Sequence, residues 1–263
     1  MATYKRRGYK KQQTGSKSKL EQESLVAKSL ESADDIAVKS ERFFEKHEKK
    51  IYAVVGALAL LLIGYYYYYN KVVIPKRQEA ANEMYMAQSL FEKALNEQDL
   101  AKQKDLFQQS LKGSAGKYGF LDIIDEYGGT PSGELAHYYA GAAYFHLGQY
   151  DKAVSELSKY KRHDDVLYPM ALGLIGESFL QLNQEKDALD YFVKAAKATK
   201  NTFVSPLYYM KAGETALALY KSTKDESYLK KAKSYFKKIV EDYPSSQFKK
   251  DAEVYLAQAE YAR

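Results

Sequence analysis

The four histidines, His47, His137, His146 and His163, are the side chains of this 263-residue sequence best suited to metal or proton chemistry. His137 and His146 share one predicted helix, but nine residues turn through about 900° and set them on opposite sides. A two-histidine metal pair needs i, i+4 spacing on one face, which this pair lacks. Asp122, Asp125 and Glu126 read as the solvated face of a helix, and Asp164-Asp165 sit in a loop without calcium-loop spacing. Cysteine is absent, so there is no disulfide framework, thiolate metal site or cysteine nucleophile. GQYDKA has no phosphate-cradle pattern, and no nucleophile-elbow serine occurs. These residues point away from an enzyme, and no cofactor or metal is expected.

The elements that carry them are helical. Proline occurs only 5 times, while Ala, Leu, Lys, Glu and Gln are frequent, which favours an all-α chain. Residues 1–20 hold seven basic residues and no acid, with too little apolar content to order themselves. They are expected to form a disordered cytosolic arm. Over 21–50, Leu25, Val26, Leu30, Ile36, Phe43 and Phe44 recur among charges and predict a juxtamembrane helix.

Ile51–Tyr69 is nineteen residues without a charge. At about 1.5 Å per residue it covers roughly 28 Å, close to a hydrocarbon core of about 30 Å. Lys49 and Lys50 flank one end, with Tyr65–Tyr69 and Lys71 at the other, where tyrosine suits the membrane interface. A buried core helix would show a polar face, and a signal peptide would begin near residue 1 and end in small residues. The sequence therefore predicts one transmembrane helix. Residues 31–50 carry five basic residues and the arm seven more, against Lys71, Lys76 and Arg77 beyond the span. The positive-inside rule places the N-terminus in the cytoplasm.

Charge divides along the same line. Residues 1–50 carry 13 Lys/Arg against 8 Asp/Glu; the remainder carries 27 against 26. A basic arm of this kind is attracted to anionic lipid or to ribosomal RNA, and it has no base-reading side chains for DNA.

From residue 76 to 263 the chain reads as paired helices. Glu134–Tyr160 and Pro169–Ala195 repeat: Ala140-Gly141 matches Ile175-Gly176, Tyr144 matches Phe179, Ala153 matches Ala188, and Leu157 matches Phe192, each offset by 35 residues. A third copy carries Ala212-Gly213, Ala232, Phe236, Ile239 and Pro244, with a Gly-to-Ala spacing seven residues longer. The polar turn Ser222–Ser227 is expected to absorb that insertion. Residues 76–112 predict a degenerate first hairpin, with Met84, Ala87, Phe91 and Leu95 on one helix and Leu106 and Leu111 on the next. Phe120–Ile124 predicts a short helix between hairpins, and Phe248, Ala252, Tyr255 and Leu256 predict a capping helix.

The small-Gly pair, the aromatic three residues on, the alanine nine later and the large residue four beyond resemble the tetratricopeptide signature. That resemblance implies an α-solenoid of helical hairpins. Gly141, Gly176, Gly213, Ala153, Ala188 and Ala232 would let helices approach closely, and Tyr144 and Phe179 would fill the space between hairpins. His137 falls at a packing position. The family's inward positions map onto Tyr138, Ala142 and Phe145, then Gly173, Glu177 and Leu180, then Met210, Glu214 and Leu217. A wall of this mixture suits a peptide or a partner helix.

Arg42-Phe43-Phe44, one span and an extracytoplasmic repeat domain resemble the YfgM-like ancillary subunit family of the bacterial Sec translocon. The resemblance implies an inner-membrane protein with a periplasmic domain that binds the Sec channel or exported proteins as a chaperone. A scaffold of another envelope machine, in cell division, secretion or outer-membrane assembly, requires the same anchor and fold.

Overall fold

The computed structural model describes Val38 and residues 45–261. The arm over 1–20, most of the 21–50 stretch and Arg42-Phe43-Phe44 lie outside the described residues. The chain divides into two units, Met1–Tyr69 and Asn70–Arg263.

In the first unit, residues 45–68 form helix α1. Its apolar side chains are exposed all round, Leu58, Leu60, Leu61 and Leu62 included. A helix of a soluble core would bury such a face. Among the described residues, this apolar stretch is the one that meets the length and composition needed to cross a membrane.

The second unit is all helix apart from turns, one isolated β-bridge and the loops that join its elements. A π-helical turn, Tyr69–Val73, precedes α2 (Ile74–Asn96). Pro75 explains the widening, because its ring clashes with the carbonyl four residues back and it has no N–H to donate. The remaining helices are α3 (Leu100–Lys112), α4 (Phe120–Tyr127), α5 (Pro131–His146), α6 (Tyr150–Leu157), α7 (Leu167–Gln181), α8 (Glu185–Lys197), α9 (Val204–Thr223), α10 (Glu226–Asp242) and α11 (Lys249–Tyr261).

The first cluster of core residues joins α2 to α5. Ala80, Met84, Ala87, Phe91 and Ala94 form the buried stripe of α2 and meet Phe107, Phe120 and Ile123. Phe91 sets its edge against both Phe107 and Tyr139, each at 5.4 Å. The expected Leu95 is largely exposed, because alternating steps of four and three residues bring Ala94 inward instead. Phe107 takes the central place that Leu106 was expected to share. The short apolar run between hairpins is helix α4, with Phe120, Ile123 and Tyr127 buried. Gly119 sits so close to the end of α3 that a β-carbon there would fall 2.4 Å from the Leu111 carbonyl oxygen. That contact fixes the tight return of the chain.

Three hairpins follow, α5/α6, α7/α8 and α9/α10, each with one joint in common. A β-carbon on Gly141 would meet Leu157 Cγ at 2.4 Å. On Gly176 it would meet Phe192 Cδ1 at 2.8 Å, and on Gly213 Phe236 Cε1 at 2.4 Å. Each glycine thus receives the large side chain of the second helix, and Ala153, Ala188 and Ala232 are fully buried beside it. The turns match as well. Gln149 N–H donates to the Tyr144 carbonyl and Gln184 N–H to that of Phe179, both at 2.9 Å, with Gly148 and Asn183 left-handed. This is the Schellman closure, which asks for a residue tolerant of positive φ.

The seven extra residues of the third hairpin are not taken up by its turn. Helix α9 runs five residues farther past its glycine than α5 or α7, and α10 begins three residues earlier relative to its alanine. Lengthening by about two helical turns keeps the buried face in phase, which a polar loop would not require. Second helices also pack on the next first helix, α6 on α7 and α8 on α9, while α11 closes the array against α10.

Candidate functional site

First helices succeed one another along one wall, α5 against α7 and α7 against α9. The side chains there differ from helix to helix. On α5, Tyr138 is half-buried, with its ring edge-on to Tyr139 at 5.5 Å and tilted against Tyr160 at 5.8 Å. Burial pushes its phenol up to about 12. Phe145, about two turns on, is half-buried edge-to-face with Tyr150 at 5.6 Å.

On α7, Glu177 is partly exposed and meets Lys211 of α9 across the helices, Nζ to Oε1 at 3.0 Å. Leu180 is exposed. Gly173, one turn before Glu177, is covered by the ring of Tyr208. On α9, Glu214 is exposed, and partial burial of its carboxyl holds it above the usual carboxylate range against the pull of Lys211. Met210 and Leu217 are buried, in the same cluster as Ala252 and Ala259 of α11. Ala142 is buried too. The wall therefore presents Tyr138, Phe145, Glu177, Leu180 and Glu214, while Met210 and Leu217 offer almost no surface.

Tyr208, Lys211 and His146 belong to this wall and are absent from the inward pattern. Lys211 had a legible signal, since it precedes Glu214 by three residues on the same helix. Tyr208 had none, because its reach depends on a glycine in the neighbouring hairpin. The ring of His146 lies flat on Phe107 at 4.8 Å with an interplanar angle of 1°. Loss of water from the covered face pushes its pKa down, against the nearby Glu177 carboxylate.

The packing residues lie behind the wall. Gly141, Gly176 and Gly213 are buried at the helix crossings. Tyr144 packs against both the α2–α5 cluster and the cluster of Ala153, Leu157, Ala171 and Ile175, and Phe179 against that second cluster and the one that holds Met210 and Leu217. His137 Nδ1–H donates to Glu156 Oε2 at 2.9 Å, which ties α5 to α6. His163 sets its ring against Tyr168 at 4.3 Å. The acids have local work: Asp122 Oδ2 accepts from Gly119 N–H at 2.9 Å, and Asp164 Oδ1 accepts from Val166 N–H at 3.0 Å. Among the described residues, no three His, Asp or Glu side chains gather as metal ligands would.

Residues 133–261 match the family model YfiO, outer membrane lipoprotein. The matched interval starts in the first turn of α5 and ends with α11, so it takes in all three glycine-jointed hairpins and the wall. It covers just under half of the chain and leaves out α1 to α4. No curated protein matches the chain. The YfiO likeness thus falls on the repeats, and the repeats carry the wall.

Proposed function

We propose that this chain is a membrane-anchored, non-catalytic module of the bacterial envelope that binds other proteins on the wall formed by α5, α7 and α9. The observation that carries the reading is the wall itself. Three hairpins with one shared glycine joint hold side chains of differing chemistry in a row, a device for reading an extended or helical partner. In this reading 1–20 is a cytosolic arm, 21–50 a juxtamembrane helix, 51–69 the span, and 76–263 the periplasmic domain.

The YfiO likeness supports an envelope scaffold that serves outer-membrane assembly. The anchor differs in kind from the one that the model's description implies. A chain without cysteine has no thiol to carry a lipid, whereas residues 51–69 have the length and apolarity to hold it in the inner membrane. Such a protein would work from the inner membrane on partners that cross the envelope. The YfgM-like resemblance favours the Sec channel or freshly exported proteins as those partners.

A photo-crosslinking residue placed at Tyr138 and at Leu180 in cells, with products identified by mass spectrometry, decides between them. Sec-channel subunits support the translocon reading, and outer-membrane assembly proteins support the scaffold. Capture of neither, with equal labelling from exposed Lys237 on α10, overturns the wall as a binding surface. Protection of the repeat domain from protease added to intact spheroplasts overturns the orientation.

A further inference from the structure

Beyond the span the chain carries 27 Lys/Arg, and all but three of them, Arg77, Arg162 and Arg263, are lysine. Arg263 lies outside the described residues. Arg77 stands on α2 and Arg162 in the loop before α7, yet the two line one cavity of about 390 Å³ at the start of α5. A domain that uses lysine almost everywhere thus brings both of its described arginines to a single concave place.

A lysine is a point charge, whereas a guanidinium is a planar fork that matches two oxygens of a phosphate or carboxylate. Arg162 is exposed and takes part in no ion pair among the described residues. Gly128 and Gly129 bring bare backbone to the lining, and a β-carbon on Gly129 would point into open space. The other polar side chains there have local work. The Thr130 hydroxyl accepts from Gly133 N–H at 3.1 Å and donates to the Tyr127 carbonyl at 2.7 Å. Glu134 Oε1 accepts from Lys161 N–H at 2.6 Å. Two guanidinium groups against this one carboxylate leave the lining positive.

The place of Arg77 in the chain selects the source of the anion. It stands eight residues past Tyr69, the last residue of the span, or about 12 Å of helical rise. The headgroup layer adds about 5–8 Å beyond the hydrocarbon, and the guanidinium sits on a long stem that covers most of the remainder. Lys71 and Lys76 precede it, and basic residues beside a span attract anionic lipid. We propose that Arg77 and Arg162 together hold a phosphate group in this cavity, brought there by an anionic phospholipid of the leaflet beside the span. The lipid is then a ligand of the repeat domain and not only the solvent of α1. This depends on the anchor and not on what the wall binds, so either reading can fail alone.

The test uses the full chain in neutral maltoside micelles and follows thermal unfolding by circular dichroism. Additives at one concentration are dioleoylphosphatidylglycerol, dioleoylphosphatidylcholine, sodium phosphate and a tetraglutamate peptide. Phosphatidylglycerol should raise the midpoint by about 3–5 °C, as a ligand at roughly ten times its dissociation constant does. Phosphatidylcholine, whose choline cancels the charge, and the two soluble anions should raise it far less. Arg77→Lys with Arg162→Lys keeps both charges and removes both forks, and it should abolish the phosphatidylglycerol shift. Both arginines are exposed, so this variant should melt as the parent does without additive. Lys104→Gln with Lys230→Gln removes two exposed charges elsewhere and should leave the shift intact. No shift with phosphatidylglycerol, or one that survives the arginine-to-lysine pair, overturns the proposal. An equal shift from sodium phosphate overturns the lipid as the source of the phosphate. A shift from tetraglutamate alone assigns the cavity to a protein carboxylate and overturns the phosphate.

Discussion

The ring of Tyr208 occupies the space a side chain at Gly173 would need: a β-carbon there would stand 2.0 Å from Tyr208 Cε1. The two residues belong to successive hairpins, and their contact joins α7 to α9 from the wall side. Gly173→Ala should therefore destabilise the domain by about 1–3 kcal/mol, the usual cost of overpacking. Thermal unfolding followed by circular dichroism should show the midpoint lowered by roughly 2–4 °C per kcal/mol. In a Tyr208→Ala background the same substitution should cost much less. An unchanged midpoint in the single variant would mean the ring swings aside freely.

That contact also marks where the sequence stops being informative. Gly141, Gly176 and the residues they receive were legible because the joint recurs at a fixed offset of 35 residues. Gly173 has no such partner in its own hairpin, and Tyr208 lies one hairpin farther on. Its role emerges only when α7 and α9 are packed together. Met210 and Leu217 failed to reach the surface for a related reason. The inward pattern assumes an open array, whereas these two lie in the terminal cluster that α11 helps to close. The Leu95 for Ala94 error is one of helical phase, a single residue in a stripe whose steps alternate. The inserted seven residues misled because polarity suggested a loop, and α9 instead continues through Ser222 and Thr223.

Glu156 gives a pH dependence with a definite sign. The hydrogen bond donated by His137 holds its carboxyl below the usual range against burial, with help from Lys159. A depressed folded-state value contributes stability above the unfolded value, about 4.3 for glutamate, and loses it as pH falls through the folded value. Glu156→Gln should therefore cost about 1–2 kcal/mol at neutral pH and almost nothing in strong acid. Urea midpoints measured from pH 7 down to pH 3 should converge for the two proteins. Parallel curves would remove the carboxylate from the account.

Asp164 caps α7 from three residues before its first helical residue, Leu167. Its Oδ1 accepts from Val166 N–H at 3.0 Å and from Leu167 N–H at 2.5 Å, and Oδ2 accepts from the Tyr160 hydroxyl at 2.8 Å. Burial raises its pKa, yet these bonds carry it below the ordinary carboxylate range. Asp164→Ala removes the bonds together and should cost about 1–2 kcal/mol; Asp164→Asn should recover much of that. Equal losses for the two in chemical denaturation would show that charge, not the cap, is what matters.

Leu60 is 71% exposed in the middle of the apolar stretch of α1, where a lipid tail would touch it. An arginine at the centre of a spanning helix costs about 2.5–3.5 kcal/mol on insertion scales. Leu60→Arg should shift the protein measurably from the membrane to the soluble fraction, while Leu60→Phe should not. Carbonate extraction followed by fractionation reads this directly, and full retention of the arginine variant in the pellet would remove α1 as the anchor.

Tyr138 and Phe145 test the wall without disturbing what lies behind it. Both are half-buried, while the glycine joint of their hairpin is made by Gly141 and Leu157 on another side of α5. Truncating the two rings therefore spares the joint, and His137, on the opposite face from His146, keeps its bond to Glu156. Tyr138→Ala with Phe145→Ala should abolish capture of crosslinked partners and leave the helical circular dichroism signal unchanged. Gly141→Leu should do the reverse. It drives a large side chain into Leu157 and overpacks the joint by about 1–3 kcal/mol or more, so stability falls before any specific contact on the wall is lost. If the double variant still captures its partners as the parent does, recognition lies on some other face of the array.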